Sequence, residues 1–182
     1  MRQEERRART RRQLLDAARA AFAARGYEGG SLDAIAASAG LSKGAVYAHF
    51  PTKLHLYTAV IDELLSEAKE RVEAVAAALG RGERPDAAAR RYLRGDASDA
   101  EHAALLMDAW TTATREPEVR ALLDAYLAER HALLAAAAID EGARPEEALA
   151  LAAVTGRLID AEVLHERHGG SAGSVAGAHR GA

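Results

Sequence analysis

Residues 42–49, SKGAVYAH, bring several hydrogen-bond donors into one short stretch. Hydroxyls, an amine and an imidazole can bind phosphate oxygens, and the amine can also reach base edges in DNA. If the stretch is helical, Val46 points inward and the polar side chains stay outside. The outer set includes Ser42, Lys43, Gly44, Ala45, Tyr47 and His49. This combination favours contact with a polyanion such as nucleic acid.

The stretch is part of a longer segment, Ser31 to Phe50. This segment fits a helix, a tight turn and a second short helix. Ser31 and Ser42 are expected to cap the two helices through their side chains. Gly40 stands where the chain reverses, since glycine tolerates positive φ. The apolar face of the first helix consists of Leu32, Ile35, Ala36 and Ala39, and Leu41 fills the angle between the helices. The order indicates a helix-turn-helix, and an αα-corner of another helical protein is the alternative.

Helices on both sides are expected to complete the unit. Thr10 to Arg25 carries an apolar stripe and stops at Gly26, so it can pack across the two short helices as a three-helix core. Before it, Met1 to Arg12 holds six arginines and is expected to be a disordered or frayed arm. Bound DNA could order this arm along a groove, and a solubilising tail is the alternative. After the motif, Thr52 caps a long helix from Lys53 to about Leu79, a mechanical link to the rest of the chain.

The composition predicts an all-α protein, because alanine is abundant and is the best helix former. There are no cysteines, which excludes disulfides and thiolate chemistry. Residues 1–53 hold ten Lys or Arg against five Asp or Glu, whereas residues 54–182 hold fourteen against twenty-two. A basic unit on an acidic body indicates that the first part meets phosphate.

Other classes of protein are disfavoured by what the sequence lacks. No apolar run approaches the roughly 20 residues that span a bilayer, so no membrane partner is expected. No nucleophile elbow, phosphate loop or metal-ligand spacing is present, so no enzyme, catalytic residue or cofactor is expected. His165 and His168 are three apart on one helix, but solvated histidines near a helix end explain them better than a metal. The expected location is the cytoplasm.

The N-terminal unit closely resembles the DNA-binding domain of the TetR (tetracycline-repressor-like) family of bacterial transcriptional regulators. The resemblance covers about residues 8–60, and the rest of the chain fits the family in layout. The residues that carry it include Phe22 followed by Gly26–Tyr27, Ala39–Gly40–Leu41–Ser42–Lys43–Gly44, Tyr47, His49–Phe50 and Lys53–Leu54. The fold it implies is an N-terminal three-helix DNA-binding domain followed by a helical ligand-binding and dimerisation domain.

The resemblance implies a homodimeric repressor that binds a palindromic operator in double-stranded DNA and leaves it when a small-molecule effector binds. Such a protein would lie at the nucleoid when bound. The implied DNA contacts are Ser31, Tyr47, His49 and Lys53 to phosphates, Lys43, Gly44 and Ala45 near base edges, and Ser42 beside them. Family members often have threonine at Ala45, so a hydroxyl contact is missing here and a thymine methyl contact can replace it. A ligand-independent regulator and a helical protein-interaction module are the alternatives.

Two further sets of residues are expected in the C-terminal part. Leu106, Met107, Trp110, Thr114 and Tyr126 are candidates for an apolar effector pocket, with ordinary core packing as the alternative. Leu149, Ala152, Gly156, Ile159 and Val163 are candidates for a dimer interface, with packing inside the monomer as the alternative. The expected domains are residues 1–53 for DNA binding, residues 54–168 for ligand binding and dimerisation, and a disordered tail at 169–182.

Overall fold

The computed structural model describes residues 2–88 and 98–169, with side chains described at 2–88 and 100–157. No strand occurs in these ranges, and residues 85–88 are also helical. The helices are α1 (Arg2–Gly29), α2 (Leu32–Ser38), α3 (Lys43–His49), α4 (Lys53–Leu79), α5 (Ser98–Thr112), α6 (Pro117–Asp140) and α7 (Pro145–Gly169). The expected all-α class is confirmed. None of the described helices is long and apolar enough to cross a membrane. The predicted disordered tail lies outside the described residues, except for Gly169 at the end of α7.

The N-terminal arm is helical, so the expectation of a disordered or frayed arm is wrong. Helix α1 begins at Arg2 and runs without a break into the predicted Thr10–Arg25 segment. Arginine is a good helix former, and two glutamates in the first turn complement the helix dipole. The Thr10 hydroxyl donates a hydrogen bond to the Arg6 carbonyl at 3.0 Å. The arginines of this segment are therefore arranged on a regular helix surface.

Helix α1 bends sharply at Gly26, where the backbone has φ 68° and ψ 176°. This region is essentially restricted to glycine. The predicted stop is therefore correct, although the chain makes one more helical turn beyond it, to Gly29. A Cβ atom on Gly26 would lie 2.6 Å from the Oδ1 atom of Asp108, so the position is restricted by space as well as by φ.

The first of two compact units combines Met1–Glu67 with Ala104–Tyr126. Its core contains the expected three-helix packing of α1, α2 and α3, and it also takes in α4, α5 and α6. The fully buried large side chains of this core are Leu14, Leu15, Phe22, Ile35, Val46, Leu56, Tyr57, Ile61, Leu64, Leu105 and Leu123. The predicted boundary after Lys53 falls inside this unit, and the division into functional domains stays a prediction.

The second unit consists of Ala68–Ala103 and Leu127–Ala182. Its described core is built from small and aliphatic residues of α4, α6 and α7, among them Val72, Val75, Leu134 and Ala148. Arg130 is only 6% exposed, and its guanidinium would lie 3.3 Å from a Cβ placed on Gly156. Close packing of α6 on α7 therefore depends on a glycine inside the unit.

Substituting alanine at Gly26 and Gly40 should separate backbone strain from loss of space. Both glycines have a positive φ, but a Cβ on Gly40 would meet no atom within 4 Å. Gly40→Ala should lower the free energy of unfolding by about 1–2 kcal/mol through strain alone. Gly26→Ala should cost about 1–3 kcal/mol more, because its φ and ψ lie in a region that alanine rarely adopts and because the Cβ displaces Asp108 from two hydrogen-bond donors. Urea denaturation measures both changes.

The Asp108→Ala background provides the control for this comparison. If contact with Asp108 makes Gly26→Ala costly, the same substitution should be less destabilising when Asp108 is absent, which is a non-additive double-mutant cycle. Strict additivity of the two substitutions would contradict the contribution from space.

Candidate nucleic-acid interface

The turn between α2 and α3 is closed by the backbone of the predicted residues. The Leu41 amide donates to the Ala36 carbonyl at 2.9 Å, and Gly40 between them has φ 67°. Ala36 is 3% exposed, so a larger side chain would separate the helices at this point. Leu41 packs on the core, as expected. The prediction of a helix-turn-helix is supported by each of these details.

Helix α3 is held by two apolar anchors, Val46 and Phe50, which are 0% and 4% exposed. The Ser42 hydroxyl accepts a hydrogen bond from the Ala45 amide at 3.3 Å, which confirms the predicted cap. The face directed away from the core carries Ser42, Lys43, Gly44 and Tyr47 as exposed residues and Ala45 and His49 as half-buried ones. The sequence therefore predicted this outer face correctly.

Ser31 does not cap α2 through its side chain, so that expectation is wrong. Its backbone is extended, with φ −130° and ψ 128°, and only its carbonyl serves the helix, by accepting from the Ile35 amide at 2.9 Å. The Ser31 hydroxyl makes no capping hydrogen bond and the residue is exposed.

Lys43 forms an ion pair with Asp33 of α2, with 2.8 Å between Nζ and Oδ2. The hydrogen bond to this carboxylate raises the pKa of Lys43 above its ordinary value. Both side chains are well exposed, so water and salt screen the attraction. The pair holds the amine beside the first turn of α2 and is weak enough to be exchanged for another anion.

Lys53 is bound to the end of α1, which the sequence did not indicate. Its amine donates to the carbonyls of Tyr27 at 2.8 Å and Glu28 at 3.3 Å. The same amine lies 4.4 Å from the centre of the Tyr27 ring. A cation at a helix C-terminus satisfies carbonyls that have no partner within the helix. The first residue of α4 is therefore a structural clamp on the last turn of α1.

Asp108 of α5 joins three helices in the first unit. Its Oδ2 atom accepts from the Tyr27 amide at 2.9 Å and from the Tyr57 hydroxyl at 2.6 Å. The Tyr57 ring packs edge-on against Phe22 at 5.0 Å and against Tyr27 at 4.8 Å. Burial, followed by the hydrogen bond to Asp108, raises the pKa of the Tyr57 hydroxyl far above its ordinary value. Tyr57 therefore stays protonated and remains a donor to Asp108.

The five candidates for an effector pocket lie in the first unit, but they do not share one environment. Leu106 and Tyr126 are half-buried against its core. Met107 and Trp110 are 39% and 38% exposed, one helical turn apart on α5. Thr114 is exposed and donates to the Thr111 carbonyl at 2.7 Å. Their role in binding a ligand stays a prediction.

The candidates for a dimer interface divide in a similar way. Leu149 is 65% exposed, whereas Ala152 is 1% exposed and Gly156 is buried against Arg130. Ala152 and Gly156 are thus buried inside the unit, and a role of the five candidates in a dimer stays a prediction. Ile159 and Val163 lie outside the residues whose side chains are described, as do His165 and His168. Among those whose side chains are described, no group of three or more His, Asp or Glu could hold a metal ion.

Comparison with known proteins supports a role in DNA binding. The sequence profile for "Bacterial regulatory proteins, tetR family" matches residues 14–60, which include α2 and α3. The HTH-type transcriptional activator FasR of Mycolicibacterium smegmatis is 45% identical over 64 residues, covering 33% of this chain and 29% of the relative. The chain therefore matches less than a third of the length of that relative.

Solved structures extend the likeness to most of the chain. A structure from Mesorhizobium loti, described as a TetR-family transcriptional regulator, has a TM-score of 0.64 and 25% identity. It covers 88% of this chain and 96% of its own. The multidrug binding protein EbrR, solved with imidazole, has a TM-score of 0.65 and 26% identity over 86% of this chain and 85% of its own. The relatives named here are a transcriptional activator, a transcriptional regulator and a binding protein.

Replacing the two serines with alanine should show which one stabilises the motif. Ser42→Ala should lower the free energy of unfolding by about 1 kcal/mol, because the Ala45 amide loses its cap. Ser31→Ala removes no capping bond and should change it by less than about 0.5 kcal/mol. Thermal or urea unfolding of the two variants is the measurement, and a larger loss at Ser31 would contradict the observed caps.

Proposed function

We propose that the chain is a DNA-binding regulator of the TetR family and that it acts as a homodimeric repressor. In this proposal it binds a palindromic operator in double-stranded DNA and is released by a small-molecule effector. The observation that carries the proposal is the α3 surface. Val46 and Phe50 fix the helix from below, which leaves its polar face exposed on a rigid support.

Each side chain of this surface has a proposed role that fits its position. Lys43, Gly44 and Ala45 occupy the first turn of α3 and approach base edges, where the absence of a side chain on Gly44 permits close contact. Tyr47, 44% exposed, and His49 contact phosphates from the next turn. The contacts at the margin come from Ser31, whose hydroxyl makes no capping bond, from Ser42 and from Lys53.

Lys43 and Lys53 reach DNA by different routes. Lys43 exchanges the exposed Asp33 carboxylate for an acceptor on DNA, which costs little because the pair is screened. Lys53 keeps its bond to the Tyr27 carbonyl, since an ammonium group has three donors and can add a phosphate oxygen. Lys53 therefore fixes the position of the DNA phosphate relative to the end of α1.

The proposed dimer follows from the small size of the reading surface. One helix-turn-helix contacts too few base pairs for specific binding, and a dimer presents two copies about 34–36 Å apart on one face of the DNA. Helices α6 and α7 supply the proposed contact. Their exposed apolar side chains include Ile139, Leu149 and Val154, which are 46%, 65% and 45% exposed.

The proposed effector acts through α5. Trp110 and Met107 provide an apolar surface on this helix, and Asp108 of the same helix binds Tyr27 and Tyr57. A ligand that moves α5 would displace an acceptor shared by α1 and α4, and so shift the support of α3. The effect is limited to the difference in the ligand's affinity for the two arrangements. The solved complex of EbrR with imidazole supports the idea that proteins of this fold hold small molecules.

A protein-interaction module and a ligand-independent regulator are the competing functions. Contacts to phosphate release counterions, so the affinity of a DNA-binding protein falls steeply as salt rises. A protein-interaction module would show no affinity for duplex DNA. A ligand-independent regulator would bind DNA but would keep its affinity in the presence of every effector tried.

Lys43→Ala and Tyr47→Ala should each weaken binding to a duplex from the region upstream of the protein's own coding sequence. Loss of one phosphate or base contact is expected to cost about 1–3 kcal/mol, roughly 5- to 150-fold in affinity. Fluorescence anisotropy of the labelled duplex is the measurement. Lys69→Ala is the matched control, because Lys69 is also an exposed lysine paired with a carboxylate, that of Glu129, and it lies in the second unit. Wild-type affinity in both α3 variants would refute the assigned surface.

Deletion of the gene should raise transcription from the promoter to which the protein binds. A bound dimer excludes polymerase if it is a repressor, so its removal increases the transcript. Quantification of the transcript in deletion and complemented strains is the test. Reduced transcription in the deletion strain would instead establish an activator, which is the activity that the name of the FasR relative states.

A further inference from the structure

Basic residues of α1 lie opposite the outer side of α3 in the first unit. The N-terminal part of α1 and the outer side of α3 enclose a cleft of about 470 Å³. It is lined by Gln3, Arg6, Arg7, Thr10, Ala45, Ala48 and His49. The first four are spaced as one stripe of a helix, and the last three as a stripe of the facing helix. Both stripes therefore point into the same space.

Most other cations near α3 are already engaged. Lys43 is paired with Asp33, and Lys53 is bound to carbonyls of α1. The Arg11 guanidinium lies 5.4 Å from the centre of the Phe50 ring and 3.9 Å from a Glu63 oxygen.

Arg6 and Arg7 differ from these residues. Within the part of the chain whose side chains are described, neither guanidinium pairs with a carboxylate, and Glu4 and Glu5 do not line the cleft. The charges of Arg6 and Arg7 are thus not paired with a carboxylate of the protein, and both lie beside α3.

We infer that this cleft binds a backbone phosphodiester of DNA, with Arg6 and Arg7 on one wall and His49 on the other. Guanidinium groups suit a phosphate because they donate paired hydrogen bonds in a plane. The Thr10 hydroxyl donates to the Arg6 carbonyl and so supports the backbone of this wall. The inference rests on the proposed function and adds a contact that the helix-turn-helix alone does not supply.

The lowered pKa of His49 is consistent with a cleft that is positively charged until a phosphate binds in it. Burial, followed by the positive charges of Arg7 and Arg11, lowers the pKa of His49 below its ordinary value. These arginines are the charged groups that face the ring from α1. A phosphate in the cleft opposes their effect and raises the pKa of the ring. The complex therefore takes up a proton, and binding tightens as the pH falls from about 8 to about 6.

The test compares two double variants that lose the same charge from the same helix. Arg6→Ala/Arg7→Ala empties the cleft wall, whereas Arg2→Ala/Arg9→Ala removes two exposed arginines that do not line it. Alanine preserves the helix in both. Affinity varies with salt to a power of about −0.9 per phosphate contact, so loss of the one phosphate held in the cleft costs roughly 5-fold at 0.15 M salt relative to 1 M. The slope of log affinity against log salt should become shallower by about 0.9 only in the cleft variant.

The pH dependence gives a second readout with its own control. The full-length protein should bind the duplex more tightly as the pH falls from about 8 to about 6, and His49→Gln should remove most of this dependence, since glutamine does not titrate there.

The outcomes separate the cleft from the proposed function. If the wild-type protein does not bind the duplex at all, the proposed function fails. If it binds, and Tyr47→Ala weakens it, but the two double variants lose affinity and salt slope equally, the cleft site is overturned while the function stands. A pH dependence unchanged by His49→Gln would also overturn the cleft site.

Discussion

The first unit depends on one carboxylate oxygen that receives two hydrogen bonds. Asp108 Oδ2 accepts the backbone amide of Tyr27 and the hydroxyl of Tyr57, and so fixes the end of α1 and the side of α4 to α5. Gly26 has to be a glycine because this carboxylate occupies the space where a Cβ would lie. Lys53 then closes the same turn from the other side. Removal of the acceptor would leave two donors in a half-buried site, where the cost of desolvation is not recovered.

The features that the sequence predicted are those that depend on neighbours along the chain. The positive φ of Gly40, the cap by Ser42, the inward position of Val46 and the bounds of α4 follow from local spacing and turn chemistry. Asp108 was not predictable in this way, because its partner amide is 81 positions away and an isolated aspartate shows no pattern. The contact of Lys53 with α1 could not be predicted either, because every residue has a backbone carbonyl and the sequence does not show which carbonyls accept from Lys53.

Net charge locates the basic unit of the chain, but it does not show which of its cations are paired inside the protein. The excess of basic residues in 1–53 predicts which part meets phosphate. The ion pair of Lys43, the carbonyl bonds of Lys53 and the ring contact of Arg11 then divide these cations into engaged and uncompensated ones. This division depends on geometry, and it assigns importance to an arm whose helical form the sequence did not indicate. Arginines that the sequence alone could assign to a solubilising tail thus form one wall of the cleft between α1 and α3.

The acceptor on α5 also has a consequence for inheritance and engineering. The N-terminal helices of the first unit and the Asp108 acceptor that joins α1 and α4 to α5 are separated along the chain by residues 68–103, which belong to the second unit. An exchange of residues 1–53 between two relatives would move α1, α2 and α3 without Asp108. The recipient would then need its own carboxylate at the position of Asp108. In the proposed function, recombination that changes the operator but keeps the effector response is therefore restricted to donors that share this pairing. The two ends of the unit have to be inherited together, although the chain that encodes them is interrupted.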